Sequence, residues 1–428
     1  MCEIHSRRCL GLDNGPLIVD MTQIARHGMQ KRTKKLPPPS SVPKMYTKHQ
    51  ASFDRMSQQA MVTEAFFGRF LVYFASEGEA RDIRNKASWL QRLPKLCVDG
   101  SNEALALAVQ ATASSYCAME TLNLALTRHA WDLYGQAIHA HSRYVARSQT
   151  KITLHVVSTS MLFSFFEAMQ ATNADAYRSH VYGAAKMFEI ISPRECYEGV
   201  LCELFFHVRT QLCYVRLAAN GRKPLVDLNV KRILEGTLDY EQLPIFQRVM
   251  TNLTRLVDAC SDSELSHGGD DENVLVNRQV YQSIEVEVEA LWQEYSDTAL
   301  LDNELLMWYD ASANTTQYRD TFTALVTAYF SAIRVLLCVT ALKATGLKSS
   351  FAYHCRSILQ AALYMQTRSN GLAYMRMAAP LLLVALHAPQ LEQRMSAITC
   401  FESWEGGSMR GISDLALEAI HEKYSSTK

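Results

Sequence analysis

The sequence predicts an all-α protein, an array of antiparallel helices behind a disordered, basic N-terminal segment. Three observations carry this. Only six of the eleven prolines lie beyond residue 55: Pro94, Pro193, Pro224, Pro244, Pro380 and Pro389. Leu, Ala, Met, Glu and Gln, all good helix formers, are abundant there. Apolar residues recur at spacings of three and four, and neither a hairpin signal nor an exact repeat is evident.

In chain order, residues 1–50 hold nine basic side chains against three acids, so the rest of this neutral 428-residue chain carries an equal acidic surplus. Five prolines also fall here (Pro16, Pro37, Pro38, Pro39 and Pro43). A basic run followed by a Pro/Ser stretch reads as an extended linker, so residues 1–54 are expected to precede a folded body at 55–428. Within that body Phe66, Phe67, Phe70, Leu71 and Phe74 form one helical stripe. Leu105, Val109, Ala113, Tyr116 and Cys117 form a second, and Leu204, Phe205, Val208, Leu212 and Val215 a third. Asp258 to Glu272 holds six acids, no Lys or Arg, and Gly268-Gly269, and is expected to be an acidic loop dividing two helical halves. Ile284-Glu-Val-Glu-Val-Glu alternates like a strand. Val276, Val280, Ile284, Val288, Leu291 and Tyr295 nonetheless step by three and four over nearly six turns, so helix is expected. Leu325 to Leu342 is apolar enough to suggest a membrane span. Arg334 at its centre would cost about 2.5–3.5 kcal/mol there, so a buried core helix and no membrane partner are expected.

Composition excludes wholesale disorder, with 48% hydrophobic and 20% charged residues. Eleven scattered cysteines and no recognisable leader suggest reduced intracellular thiols. Enzyme signatures are absent: no G-x-G-x-x-G, P-loop, H-E-x-x-H, G-x-S-x-G or C-x-x-C. His139 and His141 are two apart, which on a helix separates them by roughly 200°, so they read as surface or half-buried histidines. Ser148-Gln-Thr-Lys151 matches S-x-x-K without its companion motifs and reads as a helix end. An all-helical enzyme or small-molecule-binding protein with an acidic metal site near Asp270 is the alternative reading, and it needs carboxylates from a second helix. Lys31-Arg32-Thr33-Lys34-Lys35 is the densest positive cluster; Lys31, Arg32, Lys34 and Lys35 suit DNA phosphates or a nuclear import receptor. Cys2-Glu-Ile-His-Ser-Arg-Arg-Cys9 places two thiols that could take two positions around zinc.

With these residues in view, the chain resembles fungal zinc-cluster transcription factors, regulators with a binuclear six-cysteine cluster and a helical regulatory region. Cys2 to Cys9 is similar to the last two ligands of that cluster, and Gly15 to Thr22 to the segment after it. Phe66 to Phe70, Trp89 to Pro94 with Ala104 to Val109, and Tyr134 to Ile138 resemble the start of the regulatory region. His180-Val-Tyr-Gly183-Ala184 with Phe205-Phe-His-Val-Arg209 resembles its middle, and Phe322 to Leu342, with Tyr329, a late helix. The cluster's first four cysteines and its DNA-reading helix are not in this sequence. The resemblance implies zinc as cofactor, with two of six ligands here. It also implies DNA, co-regulators or transcription machinery as partners, a nuclear location, no catalysis, and control of a metabolic or secondary-metabolite pathway. It gives His180, Gly183 and Arg209 structural roles, with Gly183 expected to let a neighbouring helix approach closely.

Overall fold

Apolar stripes spaced by three and four can be buried only by helices laid against one another. In the computed structural model, residues 47–74, 89–98, 102–147, 152–172, 174–191, 193–196, 199–219, 243–265, 271–342, 349–368, 371–405 and 407–425 are described. They form α1 (Thr47–Phe74), α2 (Trp89–Val98), α3 (Glu103–Thr121), α4 (Leu124–Arg147), α5 (Leu154–Gln170), α6 (Ala174–Ile190) and α7 (Gly199–Ala218). After these come α8 (Ile245–Leu265), α9 (Asp271–Leu301), α10 (Thr321–Leu342), α11 (Ser349–Gln366), α12 (Gly371–Arg376), α13 (Ala378–His387), α14 (Leu391–Glu405) and α15 (Arg410–Ser425). A 3-10 turn spans Pro193–Cys196, and strands β1 (Met307–Asp310) and β2 (Thr315–Tyr318) form an antiparallel hairpin. Residues 1–61 and 62–428 are separate units, and α1 runs from the first into the second.

In the second unit, consecutive helices from α3 to α11 largely pack on their neighbours in sequence. The last helix, α15, returns to α5, α6 and α7. Helices α5, α7, α10 and α13 are the innermost, and α13 buries every residue from Ala378 to Leu386. The three expected stripes are buried or half-buried, with Phe70, Leu105 and Leu204 wholly enclosed.

The membrane-like stretch is a core helix. Thr321–Thr340 of α10 is long and apolar enough to cross a bilayer, but 78% of it is buried. Arg334 leaves the core sideways: it bonds Glu289 of α9 at 2.7 Å and lies over the Trp292 ring at 5.8 Å.

The ambiguous alternating segment is helical, and Ile284, Val288, Leu291 and Tyr295 of α9 face the core. The carboxylates between them meet arginines. Arg248 and Arg255 of α8 bond Glu294 and Glu287 at 2.7 and 2.9 Å. Both pairs are seven residues apart and run in opposite order, as antiparallel helices require.

Four expectations need correction. Most of the expected dividing loop at 258–272 is helical: α8 continues to Leu265, α9 begins at Asp271, the two helices pack together inside one unit, and residues 266–270 lie outside the described residues. Buried Val257 and Ala259 extend the apolar stripe of α8, and Asp258 is held by Arg216 at 2.5 Å, so its acids do not break the helix. Helix begins before residue 55: α1 starts at Thr47, shortly after Pro43 in the sequence, and the residues before it lie outside the described ones. A hairpin exists where none was evident. Its strands are four residues long, and its connection uses Asp310 and Asn314 rather than Asn-Gly. Asp310 Oδ1 accepts from Ser312 N at 2.9 Å, and Asn314 takes a left-handed φ of 52°. Finally, Gly183 does not admit a close neighbour: a Cβ built there meets nothing within 4 Å.

Candidate functional site

A helical core dominated by hydrocarbon tolerates polar groups only when they find partners. The most developed polar cluster lies where α4, α5 and α6 meet. Glu167 sits near the C-terminal end of α5 and is buried. Its Oε1 accepts from the Tyr134 hydroxyl at 2.6 Å, and its Oε2 accepts from Thr172 N at 3.0 Å and from the Thr172 hydroxyl. His180 Nε2 lies 2.9 Å from the same Tyr134 oxygen. The single phenol proton goes to the carboxylate, so the network assigns the N–H to His180 Nε2, which donates to the phenol oxygen. Burial pushes the Tyr134 phenol up, reinforced by the Glu167 charge, and pushes the His180 imidazole down against the opposing pull of that charge.

Aromatic packing frames the cluster. Tyr134 stacks on Phe166 at 4.0 Å and 7°, and Phe163 lies 5.4 Å from Tyr134 and 5.3 Å from His180. His141 also packs on Phe163, at 5.4 Å, and its Nε2 meets Ser160 Oγ at 3.1 Å. A Ser–His contact is one part of a nucleophile with its base. Burial, then the nearby His180, lowers His141 to about 4, which places it well below the range of an effective general base at neutral pH. The cluster is a latch holding three helices, and the Tyr134–Glu167–His180 chain is its centre.

The latch extends to α15 through the backbone. A Cβ built on Gly411 would lie 2.2 Å from the Glu167 carbonyl oxygen. One residue on, Ile412 O accepts from the Tyr214 hydroxyl of α7 at 2.5 Å. Glu167 thus holds α4 and the Thr172 turn by its side chain, reaches His180 of α6 through Tyr134, and receives α15 against its carbonyl.

A second polar line runs along α7. Glu203, His207 and Gln211 are spaced by four, share one face and are all buried. His207 stacks on Phe165 at 5.4 Å and 10° and lies 5.8 Å from Trp89. Burial, with Arg376 nearby, holds it neutral well below the usual histidine range. Gln211 Oε1 accepts from the Tyr177 hydroxyl at 2.5 Å.

The residues expected to matter fall as follows. His180 belongs to the latch. Arg209 is fully buried, donates to the Gln247 carbonyl of α8 and lies 5.8 Å from the Phe206 ring centre, so it ties α7 to α8. Gly183 is on α6 without a close neighbour. His139 is exposed and His141 half-buried. Cys2, Cys9, Lys31, Arg32, Lys34 and Lys35 lie outside the described residues, as do Asp270 and Ser148 to Lys151. Glu167 and Gly411 were not singled out by sequence. Glu167 is the only acid between Leu154 and Gln170, and that isolation is the one signal it gave.

Among the described residues no group of three His, Cys, Asp or Glu side chains could hold a metal. The zinc implied by the resemblance fits poorly with Cys2 and Cys9, since two thiolates do not complete the four ligands of a closed site. The nine described cysteines are free thiols. No family model, curated protein or solved structure matches the chain.

Proposed function

We propose that this chain is the helical regulatory region of a fungal nuclear transcription regulator of the zinc-cluster kind. In this reading it binds co-regulators or effectors rather than performing catalysis. The observation that supports the reading is the contact between Tyr134 and His180, at 2.9 Å. Each residue belongs to a different short segment carrying the resemblance. Other such segments also meet: Trp89 packs against His207. Two of the segments thus meet in the polar latch and two others at the line along α7. The basic run from Lys31 to Lys35 supports import, and DNA reading is left to cysteines that this sequence does not supply.

The test is tethering. The full chain is fused to a heterologous sequence-specific DNA-binding module and a fluorescent tag, and reporter transcription and location are measured in a fungal host. Nuclear accumulation and a several-fold change in reporter output are expected. Replacing Lys31, Arg32, Lys34 and Lys35 together by Ala should reduce the accumulation. Exclusion of the unmutated fusion from nuclei, or an unchanged reporter, would overturn the reading.

A further inference from the structure

Among the described residues most exposed apolar side chains are scattered, but six lie within ten consecutive residues. Leu300, Leu301, Leu305, Met307, Trp308 and Tyr309 run from the end of α9 into β1, with exposures from 38% at Met307 to 83% at Leu301. At about 200 Å² per large side chain they present roughly 700 Å². They do not form one face: along β1 Met307 and Tyr309 point to one side of the hairpin and Trp308 to the other.

This stretch includes an open sheet edge. β2 packs on α10 and α11, whereas β1 is the outer strand and its first three residues are exposed. Arg319 N donates to Leu306 O at 3.0 Å, and Met307 is paired with Tyr318. In an antiparallel ladder hydrogen-bonded and non-bonded pairs alternate. The backbone groups of Leu306, Trp308 and Asp310 therefore face β2, while those of Met307 and Tyr309 face outward. Edge strands are ordinarily blunted by short length, charge, Pro or a bulge; β1 is short and ends in Asp310, but its outward-facing stretch Met307 to Tyr309 carries no charge and no Pro.

We propose that this edge pairs with the same edge of a second copy of the chain. The parity of the outward groups restricts the register. Met307 and Tyr309 can exchange bonds only with outward residues, so the fullest antiparallel overlap sets Met307 opposite the partner's Tyr309. Trp308 then meets the partner's Trp308 on the two-fold axis, in the closely spaced non-bonded position where aromatic pairs interact best. Asp310, the one charge in β1, falls opposite the partner's Leu306, so no like charges oppose. A two-fold contact of this kind closes after two copies.

The experiment measures the mass of the full chain by light scattering at micromolar concentrations, with three forms of the protein. The unmutated chain should run at about twice its 48.3 kDa. Trp308→Lys places two cations together on the axis and should shift the mass to one copy while helical content and melting stay unchanged. Trp308→Cys brings two introduced thiols to a position whose ~4.5 Å Cα separation suits a disulfide. Mild oxidation should then give a reducible covalent dimer that the unmutated chain does not form. An unmutated chain of single mass would overturn the proposal, as would a dimer whose Trp308→Cys form fails to cross-link.

Discussion

The two ends of the core are held by different means. Where α4, α5, α6 and α15 meet, a buried carboxylate is shared among a phenol, a threonine and, through the phenol, an imidazole. Where α9 lies on α8 and α10, three arginine–glutamate pairs sit half in water. Both are electrostatic, and a count of polar contacts would rank them alike. They differ in what surrounds them. The Glu167 carboxylate has no water to fall back on, so each lost partner leaves a desolvated charge short of a bond. The exposed pairs exchange one hydrated partner for another, and their net contribution is about 0–1 kcal/mol each. The helix α9 is held chiefly by Ile284, Val288 and Leu291, and its charges choose its direction and register.

Gly411→Ala tests the sharpest point of this contrast. The added carbon would meet the Glu167 backbone oxygen at 2.2 Å, and neither helix can yield by rotating a side chain. A loss of about 3 kcal/mol or more is expected, in the upper range for overpacking, read from chemical denaturation. A loss under about 1 kcal/mol would mean that α15 is loosely seated and that the latch stops at α5.

Tyr134→Phe keeps the stack on Phe166 and removes only the hydroxyl between Glu167 and His180. The expected loss is about 1–3 kcal/mol, because a buried carboxylate loses a donor and a buried imidazole loses its acceptor. In the imidazole nitrogen spectrum, the His180 ring should lose its preferred tautomer. A neutral outcome in both measurements would equate the latch with the surface pairs and dissolve the comparison.

The smallest effect belongs to Arg255→Ala, which removes a pair whose members are each about one-third exposed. A change within about 1 kcal/mol is expected, shrinking further in added salt. A loss as large as that of Tyr134→Phe would show that α9 depends on its ion pairs after all.

The legibility of this molecule in its sequence follows the same division. The four-residue rhythm from Val276 to Tyr295 can be read because a helix repeats its buried face, whatever charges lie between. Asp258 to Leu265 misled for the converse reason: acidic composition outweighed an apolar stripe of the same helix that continued through Val257 and Ala259. The hairpin was illegible because four-residue strands give too few alternations to separate from a helix, although Asp310 and Asn314 mark its turn. Tyr134 and His180 stood out as parts of short segments, but their union through Glu167 needs three helices in place. Gly411 cannot be read from its neighbours, since its constraint is a carbonyl from α5. Gly183 shows the opposite error, a helical glycine taken for a packing notch where the space is open.

The buried thiols give the molecule a chemical clock. Burial pushes Cys117 of α3 up to about 11 and Cys355 of α11 up to about 12. At neutral pH a thiol raised this far is almost wholly protonated, and the thiolate is the species that reacts with an alkylating reagent. Each cysteine therefore stays silent until its helix moves away and admits water. The reaction rate at Cys117 times the opening of the first helices, and the rate at Cys355 times that of the later ones. The protein carries its own pair of stopwatches for asking which part of the array comes apart first.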